Sequence, residues 1–153
     1  MAEGLRGSAP PSLAAIVNQT LGDEWAAAFW RAASEHKLVG PRCTNCGEFR
    51  MPPARFCWSC RHQDVDWVEL PGTGEVFTYT VIRHPLRPDL AEYVPYVPAL
   101  VELDEAPGYR LITNVVECDP EDVSVGLRVR VLWDTYEAEG ADPVTVPRFT
   151  PIA

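Results

Sequence analysis

A small antiparallel β-barrel, preceded by helices and by a metal-pinned cysteine segment, is the fold class that this 153-residue sequence predicts. Three observations carry that reading. Two Cys-x-x-Cys pairs stand close together in CTNCGEFRMPPARFCWSC, residues 43–60. From residue 67 onward the chain falls into short segments rich in β-branched and aromatic residues, separated by turn signals and without a βαβ period. Before residue 40 the pattern is helical and rich in Ala. With 46% hydrophobic and 23% charged residues, the chain carries enough apolar material to bury a core of one ordinary domain with a small satellite.

Residues 1–10 read as a flexible lead, with no basic patch followed by an apolar stretch and hence no signal peptide. A reducing, cytoplasmic setting is therefore expected, where five cysteines favour metal binding over disulfides. No apolar run of about 18 residues occurs, so no membrane-spanning helix is expected. Residues 11–40 form an N-terminal helical segment. SLAAIVNQTL reads as a short apolar helix that Gly22 breaks, and Asp23 as the N-cap of EWAAAFWRAASEHKL, with Gly40 and Pro41 stopping it. Trp25, Phe29 and Ala32 or Ala33 share one helical face, and Trp30, about 100° from Phe29, widens it. A helix beside a small barrel has few places to hide two tryptophans and a phenylalanine. Trp25, Phe29 and Trp30 are therefore expected to touch a partner, with simple core as the alternative.

Residues 41–66 form the cysteine segment. Cys43, Cys46, Cys57 and Cys60 supply four thiolates, enough to close a tetrahedral shell around Zn²⁺ without a water, as structural sites do. Two redox-active dithiols or a rubredoxin-like iron remain open to the same spacing. Gly47 permits the tight turn after the first pair, and Pro52 and Pro53 stiffen the connection. Cys118, alone at a strand end, reads as a small hydrophobe. Cations gather around it: from Lys37 to Arg61, Lys37, Arg42, Arg50, Arg55 and Arg61 stand against Glu48 alone. Arg42, Arg50, Arg55 and Arg61, with His84, are candidates for the phosphates of a nucleotide-like ligand such as an acyl-CoA. Their other reading is a solvated offset to the thiolate charge.

Residues 67–153 form the β unit. GEVFTYTVIR (74–83), YVPALVEL and YRLITNVVE read as strands, the last two joined by the turn DEAPG. DPEDVSVG is a short helical turn before LRVRVLWD, where Leu127, Val129, Val131 and Trp133 alternate with Arg128 and Arg130. PVTVPRF is a last strand, expected at an edge because it contains Pro147. Five short strands with one helical turn before the fourth point to an OB-fold, a five-stranded Greek-key barrel. One connection, residues 84–96, is long and holds three prolines, a length that tends to carry function.

Charge weighs on the choice of function. OB-folds bind single-stranded nucleic acid through basic grooves and stacking aromatics. This chain has net charge -9, and residues 102–142 carry eleven acids against Arg110, Arg128 and Arg130, which disfavours phosphate-backbone binding. No G-x-S-x-G or H-E-x-x-H pattern occurs, and His36, His62 and His84 form no recognisable pair with a nucleophile. A free-standing acyl-CoA hydrolase or hydratase would have to use His84 with Asp89 or Glu92.

Taken together, Phe29-Trp30, Cys43/Cys46/Cys57/Cys60, Pro52-Pro53, WVELPGTGEVFTYTV, PYVPALVELDE and VGLRVRV give the chain a resemblance over nearly all of residues 29–149. It resembles the acyl-CoA-associated zinc-ribbon and OB-fold family long catalogued as domain of unknown function thirty-five. The resemblance implies a mostly β protein with N-terminal helices, a rubredoxin-like zinc ribbon and a five-stranded OB-fold barrel. It implies a non-catalytic subunit in a hetero-oligomer with a thiolase-superfamily protein, either a thiolase or a lipid-transfer-protein-like aldolase of steroid side-chain degradation. Fusion to, or association with, an enoyl-CoA hydratase is also implied. The acyl-CoA chemistry would belong to the partner, and no catalytic residue carries over to this chain.

Overall fold

The computed structural model describes residues 5–7, 24–50, 53–85, 87–137 and 142–152. The expected first helix, the Asp23 cap and Pro52 lie outside the described residues. Helix α1 spans Glu24–Ser34. It ends earlier than Gly40-Pro41 would dictate. His36 takes a left-handed φ of 58°, the Lys37 amide donates to Ala32 O (2.9 Å) and the His36 amide to Ala33 O (2.9 Å). This is a Schellman termination in which a histidine occupies the position that usually goes to Gly. Gly40 and Pro41 instead lie in strand β1 (Val39–Cys43), which pairs antiparallel with β2 (Val65–Glu69) as the base of the ribbon. Close packing favours Gly40 there, because a Cβ would sit 3.1 Å from the Phe49 ring and the ring would have to give.

Five further strands make a closed barrel: β3 (Thr73–Tyr79), β4 (Val97–Leu103), β5 (Arg110–Val115), β6 (Arg128–Tyr136) and β7 (Val144–Pro151). Their order around the barrel is β3-β4-β5-β7-β6, with β6 returning to β3. All neighbours are antiparallel except β5 and β7, which run parallel and meet at Val115 and Phe149. Strand β4 shows the period that a half-buried strand requires: Val97, Ala99, Val101 and Leu103 are buried, and Pro98, Leu100 and Glu102 alternate with them. They meet Val76, Leu111, Val115, Val129 and Phe149 in one apolar core. A register shift in β3 between Val76 and Thr78 turns Phe77 outward, where the Arg110 guanidinium lies 3.5 Å from its ring centre.

Strand β7 is not an edge. Its eight-residue ladder with β6 runs from Val129↔Pro151 to Tyr136↔Val144 and includes Trp133↔Pro147. Pro147 is tolerated because its missing N–H faces the other side. The Pro147 carbonyl accepts from Thr113 Oγ1 of β5 (2.8 Å), and Phe149 O, on the same side, accepts the Val116 amide (2.8 Å). Residues of this parity direct their backbone groups to β5, so no bond to β6 is lost.

Helix α1 packs against β7 and β1 and joins the core through Phe29, with Ala33 buried on the same face. The long connection holds a 3-10 turn, Pro88–Tyr93, and is tied back where Ile82 and Tyr96 bridge. A second short turn, Pro120–Asp122, precedes β6.

Candidate metal centre

The four ribbon cysteines are brought together. Cys43 closes β1, Cys46 and Gly47 follow on the first knuckle, and Cys57 and Cys60 lie on the second. Each knuckle is a tight turn: the Gly47 amide donates to Cys43 O (3.0 Å) and the Arg61 amide to Cys57 O (2.9 Å). Gly47 takes φ 80° and Arg61, at the corresponding place, φ 62°. Gly47 is thus the residue that geometry favours, and Arg61 holds the same backbone against a steric penalty.

The sulfurs of Cys43 and Cys60 are 3.6 Å apart, those of Cys46 and Cys57 3.5 Å apart, and all four lie within 4.8 Å of one another. A tetrahedral thiolate site with metal–sulfur bonds near 2.3 Å has sulfur–sulfur edges of about 3.8 Å, so the cluster fits. Electrostatics point the same way. Burial opposes the Cys43 thiolate, yet the amides of Cys46 and Asn45 and the Arg50 guanidinium outweigh it and bring the thiol down to about 6. The Cys60 amide likewise lowers Cys57. At Cys46 the Glu48 amide favours the thiolate, but desolvation and the sulfurs of Cys60, Cys57 and Cys43 push the thiol up to about 12. Crowding of the sulfurs at Cys46 thus favours a bound cation as the partner of the thiolates. With four ligands the shell is closed, and no position is left for a substrate.

Arg50 organises the ribbon from inside. It is 1% exposed. Its Nη1 donates to the carbonyls of Ala54 (3.0 Å), Arg55 (3.3 Å) and Gln63 (2.9 Å), and its Nη2 to those of His62 (2.7 Å) and Asp64 (3.2 Å). Arg50 thus serves the fold and does not face a soluble phosphate, which corrects its place among the ligand-binding cations. Arg42, Arg55, Arg61 and His84 are exposed. His62 Nε2 lies 3.4 Å from an Asp64 carboxylate oxygen.

Of the three helix aromatics, one lies in the core. Phe29 is 7% exposed and belongs to the core. Trp30 is half-buried and packs edge-on against it, with ring centres 5.0 Å apart at 85°; Trp25 is also half-buried. The exposed aromatic pair is elsewhere: Phe56 is 52% and Trp58 71% exposed, on either side of the buried ligand Cys57. They line an open cleft with Arg61. Sequence reading passed over them, although aromatic residues flanking a metal ligand in so small a ribbon have no core of their own to enter. Cys118 is half-buried against the barrel core, and burial raises its thiol.

The outer face of the barrel holds a buried polar group on three strands. Arg148 of β7 donates to Asn114 Oδ1 of β5 (2.8 Å) and to the Tyr136 hydroxyl of β6 (2.9 Å), and its Nε lies 3.5 Å from Asp134. It ties together the strands on which barrel closure depends.

Comparison with known proteins accords with this architecture. The family model described as the ChsH2 rubredoxin-like zinc ribbon domain matches residues 30–66, and that of the ChsH2 C-terminal OB-fold domain matches residues 67–134. A DUF35 domain-containing scaffold protein of Methanocaldococcus jannaschii is 35% identical over 130 residues, covering 84% of this chain and 90% of that protein. A probable enoyl-CoA hydratase alpha subunit of Thermomonospora curvata is 42% identical over 125 residues, or 81% of this chain, but the match spans only 37% of the hydratase subunit. Among solved structures, a chain of the Ltp2-ChsH2(DUF35) aldolase superposes with a TM-score of 0.71 at 41% identity, covering 84% of this chain and 95% of that one.

Proposed function

Because this chain belongs to the DUF35 family, with a ChsH2-type zinc ribbon and OB-fold barrel, we propose that it is a non-catalytic subunit that docks on a thiolase-superfamily protein and supports its acyl-CoA carbon–carbon bond chemistry. The observation that carries the reading is the closed four-cysteine cluster. Its metal, which we take to be Zn²⁺, can pin the chain but has no free position for a reacting group. The names of the relatives support the same division of labour, since one is a scaffold protein and another a chain of an aldolase complex.

In this proposal the partner is a lipid-transfer-protein-like aldolase or a thiolase working in the cytoplasm. Steroid side-chain degradation is the proposed setting, and an associated or fused enoyl-CoA hydratase would supply the aldolase with its substrate. The exposed side chains of Arg42, Arg55 and His84 would border the entry of the acyl-CoA and face its phosphates.

The test is reconstitution. A thiolase-fold protein that co-purifies with this chain is assayed for acyl-CoA cleavage or condensation alone, with this chain, and with this chain stripped of metal. Activity that needs the metal-loaded chain supports the proposal. Full activity of the partner alone, or turnover of an acyl-CoA by this chain alone, refutes it.

A further inference from the structure

Trp58 and Phe56 are large, exposed side chains on a segment that has little freedom to move. The interior of the ribbon, where a core would have received them, is filled by the Arg50 guanidinium. Its five carbonyl acceptors lie on both flanks of the second knuckle, at Ala54 and Arg55 before it and at His62, Gln63 and Asp64 after it. Cys57 and Cys60 fasten the knuckle from within, and the Cys57 amide donates to His62 O (2.9 Å). Aromatic groups on such a frame lose little conformational entropy when they are covered, which is the condition under which exposed Trp and Phe become binding anchors.

We infer that the second knuckle, with Trp58 and Phe56 as anchors and Arg61 at its border, is the surface by which the ribbon seats on the thiolase-fold partner, in an apolar pocket edged by carboxylates. The inference rests on the subunit reading above and assigns Arg61 to the partner instead of the acyl-CoA. Charge selects the occupant. With Glu48, Asp64 and Asp66 offsetting charge elsewhere in the ribbon, the second knuckle itself, residues 53–61, exposes Arg55 and Arg61 and carries no acid, so its complement is acidic. A second copy of this chain is disfavoured, since both would bring a net charge of -9. Two other apolar residues among those described are as exposed: Val125 at 67%, in the turn before β6, and Ile112 at 77%, on the barrel face. There the neighbouring Arg110 is already paired with Glu102 at 2.7 Å and covers Phe77.

The experiment is a calorimetric titration of the partner with the wild-type chain and with Trp58→Ala, Phe56→Ala, Arg61→Glu and Ile112→Asp. Metal content and thermal midpoint of each variant establish that it is folded. Trp58→Ala is expected to weaken binding about 30-fold or more, Phe56→Ala and Arg61→Glu about 5- to 10-fold, and Ile112→Asp less than about 3-fold. Wild-type binding that survives Trp58→Ala and Phe56→Ala within about 3-fold overturns the docking surface while leaving the subunit reading intact. No binding by the wild-type chain overturns both. Capture of a single-stranded oligonucleotide, or self-association, that depends on Trp58 overturns the choice of partner.

Discussion

The Arg50 side chain donates to the main-chain carbonyl of His62 at 2.7 Å, which joins the strand-side wall of the ribbon to the far side of its second knuckle. Four more carbonyls share the same guanidinium. Replacing it with Ala leaves five carbonyls without their donor and empties the ribbon. Arg50→Ala is expected to cost about 3 kcal/mol or more, and Arg50→Lys most of that, because an ammonium cannot fan out to five acceptors. The measurement is metal release to a chelator, which should accelerate in both variants.

Metal removal should separate the two parts of the chain. Chelation is expected to release one metal ion per chain and to loosen residues 41–66, while the barrel core around Val76, Val101, Val129 and Phe149 keeps its strand signal in circular dichroism. Affinity for the metal should fall as pH drops through the Cys43 value of about 6. Rebinding near neutrality should release protons, since Cys46 otherwise stays protonated to about 12. Calorimetry in buffers of different ionisation enthalpy reads both effects. Metal binding whose affinity is unchanged between pH 5 and pH 8 would contradict this account.

At Gly74 the crossing of β3 and β4 leaves no room for a side chain. A Cβ there would stand 2.4 Å from the Glu102 carbonyl oxygen and 2.9 Å from Val101 Cγ1. Because the nearer atom is backbone, the strands must part, and Gly74→Ala is expected to lose about 2–3 kcal/mol in urea unfolding. Gly108→Ala, in open space but at φ 76°, should lose only about 1 kcal/mol.

Asp104 sets an acid sensitivity. Hydrogen bonds from Arg128 (2.9 Å from its Nη1) and from Thr73 hold its carboxyl below the ordinary value. A depressed acid contributes stability above its unfolded value, near 4, and loses it as pH falls through the folded value. Wild-type midpoints should therefore exceed those of Asp104→Asn at neutral pH by a few degrees, and the gap should close below about pH 4. The pair is a third to a half exposed, so added salt should also narrow it.

Much of the ribbon and barrel was legible because the signals are local. Ligand spacing, the alternation of Val129 and Val131 with Arg128 and Arg130 in β6, and the turn at 104–108 each depend on neighbours in sequence. What was not legible depends on distant partners. Nothing near Arg50 reveals that carbonyls up to Asp64 converge on it. Pro147 argued for an edge, yet the side to which its nitrogen points is set by β5, more than thirty residues earlier. Phe29 looked like a partner contact until α1 was seen packed on β7, a strand over a hundred residues away. The helix end was misjudged because His36 accepted a backbone conformation usually left to Gly.

The parallel meeting of β5 and β7 at Val115 and Phe149 also dictates an order of assembly during synthesis. The ribbon has all of its strands and ligands once Glu69 has been made, and it can capture its ion while the ribosome is still at work. The barrel must wait for Val144–Pro151, since until Phe149 arrives its wall has a gap and its interior is open to water. A nascent chain of this protein thus carries a finished knot ahead of an unfinished cup, and translation must pass Phe149 before the cup shuts.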